Sequence, residues 1–401
     1  MAMRVELLVK SSAWQAVSSQ ILRCVLSGYT VSAMSSDSTK PRLHMRGARS
    51  FMQGRFESVA REAFDDGWTP EEKPASELKT EVTIERARSI VSHNDSPDVG
   101  FDRSINPYRG CEHGCIYCYA RPSHAYLELS PGLDFETKLF AKTNAAELLR
   151  ETLARPGYTP EPIALGANTD CYQPIERKFR ITREILEVLG ECDHPVTLVT
   201  KSALVERDLD LLGPMAAKNL VKVYVSIGTL ERELARRLEP RAASPQRRLD
   251  ILKALSNAGV PCGVMVAALI PGLNDKTMEH VLEAAAQAGA AEAAYVIMRL
   301  PNELKDLFRE WLAEHYPQRA THVMSIVRDL RGGKDNDPRF GARMTGTGNY
   351  AELIEKRFDI ACRKFGLNTR EAPRGRAELD CSRFRPPQPA GKSGNGQMTL
   401  F

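Results

Sequence analysis

Residues 109–119 read RGCEHGCIYCY, and Cys111, Cys115 and Cys118 fall in them as C-x3-C-x2-C. A structural zinc site is closed by four ligands, and an iron–sulfur cluster kept for electron transfer is usually held by four cysteines. Three thiolates on a [4Fe–4S] cube leave its fourth iron open. An open iron binds a substrate or cofactor, so the count of three points to catalysis. The competing reading is a zinc site completed by His113, His124 or a distant residue.

Outward from this loop the chain alternates short apolar runs with amphipathic ones. Strands are expected at SINPY (104–108), PIALGA (162–167), PVTLVT (195–200), VKVYVSI (221–227), PCGVMVAALI (261–270) and EAAYVIMRL (292–300). Helices are expected between them, at 144–154, 181–191, 205–218, 245–258, 274–288 and 302–314. In 274–288, Met278, Val281, Leu282 and Ala285 repeat as i, i+3, i+4, i+7, with Asn274 placed as the N-cap. Near-continuous apolar strands indicate burial on both faces, hence a parallel sheet. Six βα units in an α/β chain favour a partial (β/α)6 barrel, with an open doubly wound sheet as the alternative. The cysteine loop then lies at the C-terminal mouth, where barrel active sites form.

The flanks read differently. Residues 1–44 are rich in Ser and Ala and are expected to be a leader or an upstream start, without structure of their own. Residues 45–102 read as an irregular lead-in, 103–316 as the barrel, 317–370 as a small helical extension and 371–401 as a disordered tail. No apolar run approaches the roughly 18 residues of a membrane span. The nine cysteines are odd in number and otherwise scattered, which suits a reducing cytoplasm better than a disulfide framework. From Gln318 to Phe401 there are 16 Lys and Arg against 9 Asp and Glu, a net +7, so the rest of a +4 chain carries −3. This basic final fifth suits an anionic partner or is simply a solvated surface.

The C-x3-C-x2-C spacing, with Tyr117 just before the last cysteine, resembles the signature of the radical S-adenosylmethionine (radical SAM) superfamily. The resemblance implies that Cys111, Cys115 and Cys118 ligate a [4Fe–4S] cluster whose open iron chelates S-adenosylmethionine. Reduction by a donor such as flavodoxin or ferredoxin then yields methionine and a 5′-deoxyadenosyl radical. It further implies cofactor contacts at the strand ends. Tyr117 is expected beside the adenine, Thr169 in GANTD by the amino group, Lys201 in TKSAL on the carboxylate, and Ser226 in VSIGT on the ribose or carboxylate. The plain alternative for these polar residues is turn chemistry at strand–helix junctions. Glu239 and Arg241 in EPRAASPQRRLD either reach the mouth or pair with each other.

Within the superfamily the chain resembles the branch containing spore photoproduct lyase, from about Met45 to residue 368. The resemblance is densest in SINPYRGCEHGCIYCYARPSHAYLELSPGLDFETKLFAK and NTDCYQPIERKFRITREILEVL. In that lyase a cysteine and tyrosines return a hydrogen atom after a thymine dimer is opened. Tyr119 matches one such tyrosine. The cysteine position falls on Ala167, which cannot donate, and Cys171 is the nearby candidate. The resemblance thus implies repair or modification of a nucleic-acid base, with DNA as partner. Arg331, Lys334, Arg339 and Arg343, in a glycine-rich loop, are candidate phosphate contacts. RNA, a peptide or a small molecule as substrate is one alternative, and a non-catalytic iron–sulfur protein associated with DNA or a clamp is another. The final residues, Gln397, Leu400 and Phe401, resemble peptides that dock on the bacterial sliding clamp.

Overall fold

The computed structural model describes residues 46–57, 78–369 and 378–387. All fall in one contact unit, Leu43–Thr69 with Glu77–Phe401. The expectations for residues 1–44 and for the clamp-like Gln397, Leu400 and Phe401 lie outside the described residues.

Ten strands occur in chain order. They are β1 (Glu81–Glu85), β2 (Val91–His93), β3 (Arg103–Ile105), β4 (Tyr108–Arg109), β5 (Lys138–Lys142), β6 (Ile163–Leu165), β7 (Val196–Thr200), β8 (Val221–Ser226), β9 (Cys262–Leu269) and β10 (Glu292–Ile297). The main sheet runs β10-β9-β8-β7-β6-β3-β2. Its six strands β3, β6, β7, β8, β9 and β10 pair in parallel in that order, and β2 adds antiparallel at one edge. The two edges do not pair with each other, so the sheet is a partial barrel.

Helices cross between the strands. The principal ones are Ala145–Leu153, Ile181–Glu191, Leu209–Ala217, Pro245–Asn257, Met278–Gln287 and Leu304–His315. Ile181–Glu191 shows why they form: Ile181, Ile185, Leu186 and Leu189 make one stripe, and all four are buried against the sheet. In β7 and β8 the residues with alternate parity, such as Leu198, Val223 and Val225, are wholly inaccessible to solvent. One large core fills the space between sheet and helices. A second core joins Cys115, Ile116 and Tyr117 to Leu234, Leu238, Phe308 and Trp311, so the cysteine loop is seated on apolar packing of its own.

Three expectations need correction. The lead-in 45–102 is not irregular throughout, because it supplies β1 and β2. The first of these, with the sequence EVTIE, pairs with β5, which also holds β4, in a separate three-stranded sheet. Asn274 does not cap its helix, which starts at Met278 after a 3-10 turn. Its side chain instead accepts from Ile270 N (2.6 Å) and donates to Gly228 O (2.8 Å) and Ala268 O (3.0 Å), pinning the loop after β9. The expected helix at 205–218 is a 3-10 segment, Ala203–Asp208, followed by Leu209–Ala217. Beyond the barrel lie the helices Ala320–Asp329, Ala342–Thr345 and Asn349–Phe365.

Candidate active site

The cysteine loop leaves β4 through Gly110 (φ +73°), a left-handed turn open to glycine. Cys111 N donates to Phe135 O (2.9 Å), Ile116 N to Leu238 O (3.0 Å) and Arg121 N to Cys118 O (3.1 Å). At Gly114 (φ +68°) a Cβ would stand 2.7 Å from Glu136 Oε2, so the turn also needs glycine for space.

Behind the loop lies a buried ion pair. Arg121 and Glu136 are both fully buried and meet at 2.6 Å. The Arg121 guanidinium also donates to the carbonyls of Cys115 (2.9 Å), Gly114 (3.1 Å), Gly132 (2.9 Å) and Pro131 (3.2 Å). Glu136 in turn accepts from Gly47 N (2.9 Å) and Ala48 N (2.8 Å). From the barrel side, Gln173 donates to Gly110 O (3.0 Å) and accepts from Glu112 N (2.9 Å). Irregular backbone can be buried here because charged side chains satisfy its polar groups.

The three thiols form no disulfide; Cys111 and Cys115 are buried and Cys118 is half-buried. Burial, then Asp170 and the neighbouring sulfurs, push Cys111 well above the ordinary thiol range. Burial also pushes Cys115 up to about 12, against the opposing pull of Lys201. Converging buried thiols ionise when they share a strong cation, which is what an iron cluster offers. The zinc alternative finds no fourth ligand nearby. His124 packs between Phe135 and Phe140 with Nε2 on Lys138 O (2.9 Å), and His113 Nδ1 approaches Asp170 Oδ2 at 3.3 Å. Among the described residues no three His, Cys, Asp or Glu side chains gather tightly enough for a single metal ion. Three free thiols in one buried loop are the donor chemistry that a cluster takes, and Cys111, Cys115 and Cys118 are the residues that would hold it.

In front of the loop a second network joins the strand ends. Asp170 accepts from Thr200 Oγ1 (2.8 Å) and Lys201 N (2.7 Å). Burial works to raise it, but His113 and these donors hold it down at about 2. Glu239 accepts from the Tyr117 hydroxyl and pairs with the buried Arg248, whose guanidinium also donates to Ser226 O (2.8 Å). Arg241 pairs with Glu112 (3.1 Å), so Glu239 and Arg241 do not pair with each other.

The expected site residues divide by what their side chains already do. Lys201 Nζ lies over the Tyr117 ring, 5.9 Å from its centroid, and no carboxylate among the described residues pairs with it. Burial disfavours its charge, but Cys115 and Glu239 outweigh that and raise it. Ser226 Oγ donates to Ala267 O (2.9 Å) and keeps its acceptor capacity. Thr169 is only 2% exposed and its hydroxyl is spent on Tyr108 O (2.8 Å), so it ties β4 to the loop after β6 rather than offering a free hydroxyl. Cys171 is 0% exposed within the main core, where burial pushes its thiol well up. Tyr119 is 45% exposed; its hydroxyl donates to Ala167 O and the Arg299 guanidinium sits 5.2 Å from its ring centroid.

The basic loop needs correcting as a set of phosphate contacts. Arg331 is 2% exposed and donates to Met298 O (2.8 Å) and Ile297 O (3.3 Å). Arg339 is paired with Asp337 (2.6 Å) and Arg343 with Asp98 (2.5 Å). Of the four, only Lys334 is exposed without a carboxylate partner among the described residues. Sequence reasoning missed Arg121, Glu136, Gln173, Arg248 and Arg299; the run ARPSHAYLELSPGLDFETK, for one, gives no periodic signal for Arg121 or Glu136.

An open β/α barrel with three converging thiols at its mouth defines an iron–sulfur enzyme of the kind that activates a bound cofactor. The chain belongs to the radical SAM superfamily, whose family model matches residues 105–285. Enzymes of this superfamily use a [4Fe–4S] cluster and S-adenosylmethionine. An uncharacterised protein of Mycobacterium tuberculosis is 37% identical over 230 residues, 57% of this chain and 68% of the relative. One of Methanocaldococcus jannaschii is 26% identical over 240 residues, covering 60% and 85%. Among solved structures, spore photoproduct lyase complexed with dinucleoside spore photoproduct shares the fold, with a TM-score of 0.53 at 17% identity over 71% of this chain and 80% of that one. No helix among the described residues is long and apolar enough to cross a membrane.

Proposed function

We propose that this enzyme repairs or modifies a base in nucleic acid, using the cluster and S-adenosylmethionine at the barrel mouth. The observation that carries the reading is Tyr119. It follows the last cluster cysteine directly, leaves its ring open, and has a cation over that ring. An open aromatic beside unpaired cations suits a flat base on an anionic backbone. The shared fold of spore photoproduct lyase, solved with a dinucleoside photoproduct, agrees with it.

Bound cluster and S-adenosylmethionine supply a strongly oxidising carbon radical when an electron arrives from a reductant such as flavodoxin or ferredoxin. The chain's own residues supply placement. Cys111, Cys115 and Cys118 hold the iron, Lys201 offers a cation for the cofactor carboxylate, and Ser226 offers an acceptor to its hydroxyls. Tyr117, fixed by Glu239, presents a ring face for the adenine. The reaction departs from that of the lyase at hydrogen return. By the resemblance, Ala167 falls at the position of the donor thiol, and Cys171 is buried in the core. Tyr119, whose hydroxyl donates to Ala167 O, is a hydrogen-bearing group there.

The test is 5′-deoxyadenosine release by anaerobically reconstituted enzyme with dithionite and S-adenosylmethionine, with and without UV-irradiated DNA, and with Cys115→Ala as control. Release that rises with damaged DNA and disappears in the variant is expected. Release indifferent to any nucleic acid refutes the substrate class and leaves the cofactor chemistry standing.

A further inference from the structure

The mouth holds more positive charge than its own carboxylates neutralise. Arg299 follows β10 and is half-buried, with its guanidinium over Tyr119. Its Nη1 donates to the Met344 sulfur at 3.6 Å, and no carboxylate among the described residues pairs with it. Burial, and after it Arg343, lower its pKa, and Arg331 is anchored nearby to the carbonyls of Met298 and Ile297. The nearby carboxylate of Asp98 is taken by Arg343 through two nitrogens and by Gly341 N (3.1 Å). A half-buried guanidinium without a counter-ion is costly to keep, and its planar fork matches the oxygens of a phosphate.

We propose that Arg299 is the subsite for a backbone phosphodiester of the nucleic-acid substrate, clamping it above Tyr119 while the base lies toward the cluster. This deepens the function proposed above and rests on it. Asp98 has a positioning role: by binding Arg343 it turns that cation toward Phe340, 4.7 Å from the ring centroid, and leaves Arg299 as the open cation. The arrangement also explains why the glycine-rich loop is basic without its arginines being free. They shape the wall, and the residue that meets the phosphate comes from the end of a barrel strand.

The experiment is equilibrium binding of fluorescein-labelled single-stranded dodecathymidylate to full-length reconstituted enzyme, by anisotropy, across a series of KCl concentrations. Arg299→Gln is compared with Arg299→Lys and with Lys364→Gln, a charge loss on the exposed face of the last helix. Iron content and circular dichroism confirm that each variant is folded and loaded. Losing one charge-assisted phosphate contact is expected to weaken binding about tenfold and to flatten the slope of log K against log salt by about 0.7. Arg299→Lys is expected to recover the slope and only part of the affinity, and Lys364→Gln to change affinity less than about twofold. Wild-type affinity and slope in folded Arg299→Gln overturn the subsite alone. Failure of the wild-type enzyme to bind the oligonucleotide at all overturns the nucleic-acid reading, and the subsite with it.

Discussion

Replacing Glu136 with Gln tests whether the cysteine loop depends on the buried pair behind it. The exchange keeps the size of the side chain. It removes the carboxylate that meets the Arg121 guanidinium, at 2.6 Å, in a place where neither residue is exposed to solvent. It also sets an amide NH2 against one of two backbone N–H donors, at Gly47 or Ala48. Breaking one partner of a buried pair costs about 3–5 kcal/mol, because the surviving charge stays buried. That is a large part of the roughly 5–15 kcal/mol that holds a domain together. The loss falls where Arg121 reaches, on the carbonyls of Gly114 and Cys115 and on the segment Arg46–Ala48. Two readouts separate a local from a global effect: urea unfolding of the iron-free protein, and iron and sulfide content after anaerobic reconstitution. Glu136→Gln is expected to lower stability by about 3 kcal/mol or more and to leave the protein poorly loaded. A double-mutant cycle with Arg121→Met is expected to show coupling, with the double variant less impaired than the sum of the singles. Wild-type loading with a stability change under about 1 kcal/mol refutes the view that this pair organises the loop.

Other consequences follow from particular contacts. Gln173→Ala removes two buried hydrogen bonds to the loop, at Gly110 and Glu112, and is expected to cost about 2 kcal/mol and to reduce iron loading. Lys201→Met is expected to weaken S-adenosylmethionine binding by about tenfold or more in calorimetric titration, without loss of iron, since its ammonium has no protein carboxylate to serve. His194 is held neutral between Tyr158 OH (2.8 Å) and Pro195 O (2.9 Å), and burial pushes it down to about 4. Its folded value lies below the unfolded one, so its contribution is complete above the unfolded range and is lost as pH falls toward 4. Between pH 7 and pH 5 that amounts to about 2 kcal/mol in urea unfolding, and His194→Gln is expected to flatten the dependence.

How much of this was legible in the sequence depends on the span of each interaction. The three cysteines sit in one short run, and β7 and β8 are β-branched segments whose alternate residues are buried, so loop and barrel could both be read directly. The brace could not. Arg46 reaches Glu136 O across 90 residues, and Tyr117 meets Glu239 across 122. Periodicity reports which face of an element is apolar; it carries no information about which distant charge is its partner. The strand β1 was hidden for a different reason. In EVTIE both faces are largely open, so the apolar alternation that marks a half-buried strand is weak. Thr169 and Cys171 lie beside the mouth in sequence, yet their side chains turn inward to Tyr108 O and to the core. A strand-end position tells which residues are near a site without telling which side of the chain faces it.

The arginines around the mouth therefore do two kinds of work, and one substitution tells them apart. Arg121, Arg248 and Arg331 are each no more than 2% exposed. Each spreads its guanidinium over two or more backbone carbonyls where the regular hydrogen-bond ladders have ended. Lysine carries the same charge but cannot hold several fixed carbonyls from one planar fork, and a buried ammonium without partners sheds its proton. Arg331→Lys is thus expected to destabilise the protein by about 2 kcal/mol or more while leaving the salt slope of oligonucleotide binding unchanged. At Arg299, which ties down no carbonyl, the same exchange is expected to leave unfolding unaltered and to show itself only in affinity. Equal stability losses at both positions, measured by urea unfolding of the iron-free protein, would mean that Arg299 is one more structural brace and that the phosphate is met elsewhere.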